Sequence, residues 1–294
     1  MRVLIASDGI AGLGSAETSE VIGRAFAAHG AQVAVVPMAV QGPALHQAIL
    51  RIHPDAEVVS CVTLADVLRR LGVPRTRPLY LDMSGLPVMD VDEVLASVTP
   101  AQLRGWRTLP HTAPLVGVVG TTDASQPLAG MPGIIAERGR LAGVDLARTI
   151  AANDRASAWL AEAGLDPETT TGAASGAGAV VAAAGGVVRD GVTACAEAAD
   201  FNHVASRADV VVTGAEQLDF HAVGGPVVKE VVERAGQVLR PAIALVGRCF
   251  VSPRELRIAG VETAYAVLDG PGEEVATTEQ LANTAARVAA TWRF

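Results

Sequence analysis

The sequence predicts an α/β protein with a parallel-sheet main domain of the Rossmann or flavodoxin-like type and a second, smaller inserted α/β domain. Short β-branched runs alternate with longer amphipathic stretches, which is the pattern of parallel strands joined by crossover helices. The best of these runs, residues 209–213, contains three consecutive valines, as expected for a strand buried on both faces. Nine of the sixteen prolines fall between residues 54 and 132, and this local enrichment in proline predicts the inserted domain.

The chain opens with a βαβ unit. Residues 3–6 are predicted as a strand, residues 9–14 as a glycine-rich turn, residues 15–29 as a helix and residues 32–37 as a second strand. One face of the helix carries the apolar side chains Val21, Ile22, Ala25 and Phe26.

The C-terminal part repeats this alternation. Strands are predicted at residues 209–213, 243–246 and 263–267, and helices at residues 227–235, 253–259 and 278–292. Between the two parts, strands are predicted at 79–82 and 115–119, and helices at 91–97, at 143–163 and, after a glycine-rich turn, up to about residue 184. We therefore predict a main domain of residues 1–55 and 145–294, with residues 56–144 inserted into it.

Composition narrows the choice of ligand. The chain has a net charge of −8, no cluster of basic residues and only 3% aromatic residues. Nucleic acid and anionic membrane surfaces are therefore disfavoured as partners, and a small polar or anionic molecule is expected. Of the basic residues, 22 are arginines and one is a lysine, Lys229.

Three widely separated cysteines give neither a disulfide framework nor the spacing of a metal site. No segment is apolar enough to predict a membrane span or an export signal. The expected compartment is the cytoplasm, and a homodimer remains open.

In an open parallel sheet, ligands bind beyond the carboxyl ends of the strands, so the loops that follow strands are candidate sites. The first such loop, residues 7–15, combines Asp8 with glycines before a helix start, where backbone N–H groups suit a phosphate or carboxylate. It contains neither a Walker A loop nor the G-x-G-x-x-G fingerprint. An ordinary capped turn is the alternative.

Residues 171–178 form a second glycine-rich turn, which could admit phosphates or could simply allow helices to pack closely. The third candidate, residues 213–221, holds Glu216, Asp219 and His221 after the best strand of the chain. These side chains could bind Mg²⁺ or act as a general base, or they could be solvated loop residues. Arg248 follows another strand, where it could meet an anionic ligand or form a surface ion pair.

These loops, in this order, resemble the type-1 glycerate kinase family, whose members transfer the γ-phosphoryl group of ATP to a hydroxyl of D-glycerate. The resemblance rests on residues 1–8 (Met-Arg-Val-Leu-Ile-Ala-Ser-Asp), 81–87 (Leu-Asp-Met-Ser-Gly-Leu-Pro), the glycine- and alanine-rich 171–186, 208–214 (Ala-Asp-Val-Val-Val-Thr-Gly) with Leu218-Asp219, and the strand-like 241–247. It covers the first unit and the C-terminal half, with patches between them.

The resemblance implies that Mg-ATP and a small hydroxy acid bind in a cleft between two α/β domains. In that case Asp219 is the general base or Mg²⁺-linked carboxylate, with Asp8 and Glu216 assisting. Substrate would contact Gly12, Ser15 and Arg248, and the nucleotide would lie near Gly172, Ser175, Gly176 and Gly178.

Several charged residues of the family pattern are replaced. The family's loop lysine falls on Ala11, and its acidic segment after the second strand falls near residues 40–44, which contain no acid. Arg248 or Arg138 could supply positive charge instead. The alternative function is therefore an inactive family member that binds a sugar acid or nucleotide in a regulatory role. A third hypothesis is a nicotinamide-dependent oxidoreductase, but the G-x-G-x-x-G fingerprint of dinucleotide-binding domains is missing.

Overall fold

A computed structural model describes residues 1–219 and 223–292 of the chain. The strands, in chain order, are β1 (Arg2–Ile5), β2 (Gln32–Val35), β3 (Glu57–Ser60), β4 (Leu79–Asp82), β5 (Leu115–Val119), β6 (Val187–Asp190), β7 (Val210–Leu218), β8 (Ala242–Cys249) and β9 (Val261–Ala266). They form two sheets, and every pairing between neighbouring strands is parallel.

Helices connect the strands, as parallel pairing requires. They are α1 (Ser15–Ala28), α2 (Gly42–Ile52), α3 (Leu64–Leu71), α4 (Val91–Ala96), α5 (Pro100–Arg107), α6 (Ile134–Leu141), α7 (Leu146–Ala163), α8 (Ala177–Ala183), α9 (Gly191–Ala198), α10 (Phe201–Ser206), α11 (Gly225–Gln237), α12 (Pro253–Ile258) and α13 (Thr278–Thr291). Within the described part of the chain, no helix is both long enough and apolar enough to cross a membrane.

The chain divides into two units. The first contains residues 1–53 and the chain from Cys195 onward, and the second contains residues 54–194. The first boundary lies close to the predicted one. The second lies about fifty residues beyond it, because β6 pairs with β5, and α7 packs against α4, α5 and α6. These contacts keep residues 145–194 in the second unit.

In the first unit the sheet order is β2-β1-β7-β8-β9. The chain moves from β1 to β2 on one side, and the later strands β7, β8 and β9 are added on the other side. The order therefore reverses between β1 and β7, which is the topological switch point where ligands bind in open α/β sheets. Buried side chains of β1, α1, β8 and α13 form the core of this unit, among them Ile5, Phe26, Leu245 and Val288.

In the second unit the sheet order is β3-β4-β5-β6, so the strands follow one another in sequence without a reversal. Its core includes Leu81, Leu115, Val181 and Leu160. Gly117 of β5 is needed for this packing, because a Cβ there would lie 2.8 Å from the Cε atom of Met83.

The predicted α/β fold class is confirmed, and β4 and β5 have the predicted bounds. Two central strands are longer than predicted. Pairing between β7 and β8 continues through Gln217 with Arg248 and Leu218 with Cys249, so Glu216 and Arg248 lie within strands rather than in loops. The sequence did not predict β3 or β6, which lie at the edges of their sheet and are only partly buried.

Candidate functional site

The loop after β1 is fastened to β7 at the switch point. The N–H of Ala6 donates to the carbonyl oxygen of Val212 and the N–H of Asp8 donates to that of Gly214, each at 2.9 Å. Asp8 therefore lies beside the outer half of β7. Gly214 permits this approach, because a Cβ there would lie 2.8 Å from the Ser7 hydroxyl oxygen.

Two successive residues of this loop have left-handed backbone conformations, Ala11 with φ 60° and Gly12 with φ 71°. The loop is held from within by the N–H of buried Ile10, which donates to the Thr18 hydroxyl at 3.0 Å. Helix α1 then begins at Ser15, which is buried, whereas Gly12 is exposed. The backbone at Gly12 is therefore exposed to solvent, while the residues on either side of it in the loop are anchored by Ile10 and Ser15.

Glu216 connects β7 to this loop. Its Oε2 atom accepts the N–H of Ala11 at 2.7 Å. Gly247 of the neighbouring strand β8 leaves space for the side chain, since a Cβ there would lie 2.5 Å from Glu216 Oε1. The predicted acid of the β7 region and the predicted glycine loop are therefore in direct contact.

Asp8 is half-buried, and its Oδ1 atom accepts the N–H of Gly9 at 2.8 Å. Burial raises the pKa of this carboxyl group, and the hydrogen bond from Gly9 opposes the rise. A carboxylate with a raised pKa accepts a proton more readily than a fully solvated one. Asp8 is thus suited to proton transfer.

Asp219 immediately follows the last residue of β7, the buried Leu218. Its Oδ2 atom lies 3.4 Å from Gln217 Nε2, which donates to it, and its carbonyl oxygen accepts the N–H of Val223 at 3.0 Å. Asp219 thus lies at the same carboxyl edge of the sheet as Asp8 and Glu216. His221 lies outside the described residues.

Arg248 is largely buried in β8, and its guanidinium binds the loop that follows β9. Its Nη1 atom donates to the carbonyl oxygens of Asp269 and Gly270, and its Nη2 atom donates to that of Glu274 at 3.1 Å. The side chain was predicted to contact substrate, which stays a prediction. In this structure it holds the loop at the rim of the sheet.

The turn at residues 172–178 lies in the second unit, and all four residues predicted to contact nucleotide are buried there. The Ser175 hydroxyl oxygen accepts the N–H of Met89 and Nη1 of Arg138, each at 3.0 Å. Gly172 is packed so closely that a Cβ would lie 2.8 Å from Ile134 Cγ1.

Ser175 and Ala174 both have positive φ, 61° and 50°, which is costly for residues other than glycine. Arg138, considered above as a source of positive charge, is the residue that braces this turn. The turn therefore has a clear packing role, and its contact with a nucleotide stays a prediction.

The family model described as "Glycerate kinase family" matches residues 65–293, which is more than half of the chain. This chain belongs to the glycerate kinase family. The resemblance predicted from the sequence is thereby confirmed.

Two uncharacterized mycobacterial proteins, Mb2228c of Mycobacterium bovis and MT2261 of Mycobacterium tuberculosis, are each 29% identical to it over 163 residues. That alignment covers 53% of this chain and 43% of each relative, so the chain matches less than half the length of these curated relatives. The structure resembles a crystal structure from Salmonella typhimurium LT2 described as "putative glycerate kinase 2". The TM-score is 0.64 at 17% identity, with 99% of this chain and 98% of the other covered. At this identity the likeness supports the fold.

In this member of the glycerate kinase family, three predicted residues lie toward the carboxyl edge of one sheet: Asp8 in the loop after β1, Glu216 within β7 and Asp219 directly after β7. Gly247 is a site residue that the sequence analysis missed. The signal for it was a glycine inside an otherwise apolar strand, which marks a close approach.

Proposed function

We propose that the protein is a glycerate kinase-like phosphotransferase, which transfers the γ-phosphoryl group of ATP to a hydroxyl of D-glycerate or a related small hydroxy acid. The observation that carries the proposal is the pairing of family membership with acidic residues at the switch point of the first unit. Fold alone would not support a function, because one fold hosts many chemistries.

In the proposed reaction, the substrate hydroxyl oxygen forms a bond to the γ-phosphorus while the bond from that phosphorus to the bridging oxygen of ADP breaks. Asp219 accepts the hydroxyl proton, and Asp8, with its raised pKa, assists as a second acceptor. We assign Glu216 to the loop rather than to proton transfer, because its carboxylate already accepts the Ala11 N–H.

The donor set at this edge fits Mg²⁺. This ion binds proteins through one or two carboxylates and completes its shell with water and substrate phosphates, so it does not need a cage of protein ligands. Among the described residues no group of three or more His, Cys, Asp or Glu side chains is placed to hold a metal. If Asp219 held the ion instead of accepting the proton, proton transfer would fall to Asp8, and the ion would neutralise charge on the phosphates.

Positive charge for the transferring group must come from sources other than lysine. Lys229 is exposed in α11, and the position of the family's loop lysine is Ala11 in this chain. In our proposal the loop backbone near Gly12 binds the acid, and Mg²⁺ and arginine offset the phosphoryl charge. Preorganised donors of this kind are worth about 10²–10³ in rate each.

The test is an assay of ADP release with D-glycerate, with glycerol as the matched alcohol that lacks a carboxylate. We expect turnover with D-glycerate that falls at least about a hundredfold in Asp219→Asn, because the proton acceptor is lost. Turnover at the level of this variant would contradict the kinase proposal. Thermal stabilisation by ATP or D-glycerate without turnover would favour the regulatory alternative instead.

A further inference from the structure

A carboxylate of the chain itself is bound by the loop that we assign to the acid. The 2.7 Å distance from Glu216 Oε2 to the Ala11 nitrogen is typical of hydrogen bonds to an ionised acceptor, which are stronger than neutral ones. The donor is a backbone N–H, so its position depends on the loop conformation and not on the identity of the side chain at residue 11.

The turn fixes the direction of the Ala11 N–H. Ala11 and Gly12 are successive left-handed residues at the centre of a tight turn, which the N–H of Leu13 closes by donating to the carbonyl oxygen of Ile10 at 3.1 Å. The loop is also rigid at its base, since Ile10 is fully buried and bonded to Thr18. An arriving carboxylate would therefore meet a donor that is already oriented.

The Glu216 side chain has a defined place in the sheet, but another carboxylate could replace it as the acceptor of the Ala11 N–H. The missing side chain at Gly247 makes the space that the Glu216 carboxylate fills. Glu216 itself is exposed at the rim of the sheet, although the inner part of β7 is buried. Because Glu216 is exposed, water can hydrate its carboxylate when it leaves Ala11, so another carboxylate can replace this bond by an equivalent one at small cost.

We propose that the Ala11 N–H is a carboxylate subsite, which Glu216 fills as an internal competitor and which the carboxylate of the substrate acid takes over on binding. The identity of the acid rests on the proposed function. Two carboxylates cannot share one donor without repulsion, so Glu216 must leave as the acid enters. Molecules without a carboxylate lack the charge that competes with Glu216 for this donor, so the exchange is specific to acids.

The subsite is tested by following the Ala11 amide in an assigned proton–nitrogen correlation spectrum of Glu216→Ala. We expect the amide proton to move upfield when the internal carboxylate is removed, and to return downfield when sodium acetate is added. D-glycerate should bind Glu216→Ala about three- to tenfold more tightly than the wild type, because competition is removed.

The matched control is Glu17→Ala, which removes another carboxylate from the same loop region. Glu17 Oε2 accepts the N–H of Gly14 at 3.1 Å, so this variant makes the same charge change without touching Ala11. Its Ala11 signal should stay at the wild-type position. Glu216→Gln, which keeps the size of the side chain and a weaker acceptor, should give a smaller shift in the same direction and covers the case in which Glu216→Ala does not fold.

The inference is overturned if acetate leaves the Ala11 signal of both Glu216 variants unmoved, or if D-glycerate binds Glu216→Ala more weakly than the wild type. Phosphorylation of D-glycerate with a silent Ala11 signal would remove the subsite and leave the proposed function standing. An acetate response in Glu216→Ala without turnover on any acid would support the subsite and remove the proposed function.

Discussion

Arg248 Nη2 donates to the carbonyl oxygen of Glu274, 3.1 Å away, so the end of β8 holds the loop that follows β9. The same guanidinium binds the carbonyl oxygens of Asp269 and Gly270, and only 9% of the residue is exposed. We expect Arg248→Met to lower the free energy of unfolding by about 2–3 kcal/mol, because several charge-assisted hydrogen bonds are lost at once. Denaturant unfolding measures this.

Hydrogen exchange adds a local measurement to the same prediction. Amides of residues 269–275 should exchange faster in Arg248→Met, and Arg248→Lys should restore little protection, because an ammonium group cannot reproduce the planar fork. The control is Arg254→Met on the exposed face of α12. Unchanged exchange in Arg248→Met would show that the loop is held by other contacts.

Gly247 of β8 and Gly236 of α11 give a contrasting pair of glycine substitutions. A Cβ at Gly247 would lie 2.4 Å from the Glu216 carbonyl oxygen, whereas at Gly236 it would meet no described atom within 4 Å. We expect Gly247→Ala to destabilise the protein by about 2–4 kcal/mol through overpacking. Gly236→Ala should stabilise it by about 0.5–1 kcal/mol, because alanine favours the helix. Thermal unfolding of both variants tests the pair, and equal effects would contradict it.

The sequence predicted the parts of the structure that depend on local pattern. Strands β4 and β5 and helix α1 follow from apolar runs and helical spacing. The lengths of β7 and β8 could not be predicted, because polar residues such as Glu216 and Arg248 continue those strands only through their pairing in the sheet.

In the candidate site, too, the sequence predicted individual residues but not the contacts between them. Asp8 and Glu216 were candidates from the sequence, since each lies near the end of a strand-like run. The hydrogen bond from the Ala11 N–H to Glu216 depends on β1 and β7 being neighbours, because 205 positions separate these two residues in the sequence. Sequence order alone cannot establish such a neighbour relation. The burial of the Gly172 turn against Ile134 was likewise a question of packing between helices.

Arg75 lies between α3 and β4, and only 7% of it is exposed. Its Nε and Nη1 atoms are buried without a hydrogen-bond acceptor among the described residues. Buried N–H groups without an acceptor are costly, and an apolar side chain of similar size removes that cost. We expect Arg75→Met to raise the free energy of unfolding by about 1–3 kcal/mol.

Denaturant unfolding checks this expectation, with Arg77→Met as the control on an exposed neighbour. That control should change stability by less than about 0.5 kcal/mol. A loss of stability in Arg75→Met alone would mean that bound water or an ion already satisfies the guanidinium.

Asp8 and Asp209 should give opposite dependences of stability on pH. Burial raises the pKa of Asp8 above its ordinary value of 3.8, so the folded protein holds this proton more tightly than the unfolded chain. Stability from this group is then full below pH 3.8 and falls as the pH rises through the folded-state pKa. Asp8→Asn should therefore be more stable relative to the wild type at neutral pH than at pH 3.

The contribution of Asp209 to stability changes with pH in the opposite direction. Its carboxylate accepts the N–H of Arg2 at 2.7 Å and a hydrogen bond from the Arg2 side chain, and these bonds lower its pKa below 3.8. The stability it contributes is present above pH 3.8 and is lost as the pH falls through the lowered folded-state pKa. Asp209→Asn should thus be less stable than the wild type at neutral pH, and the difference should shrink in acid. Thermal melts of the wild type and both variants between pH 3 and 7 test the two signs together. A flat profile for Asp8→Asn would contradict the burial of Asp8, because an unshifted carboxyl group titrates alike in the folded and unfolded chains, and a profile parallel to that of Asp209→Asn would mean that the pKa of Asp8 is lowered.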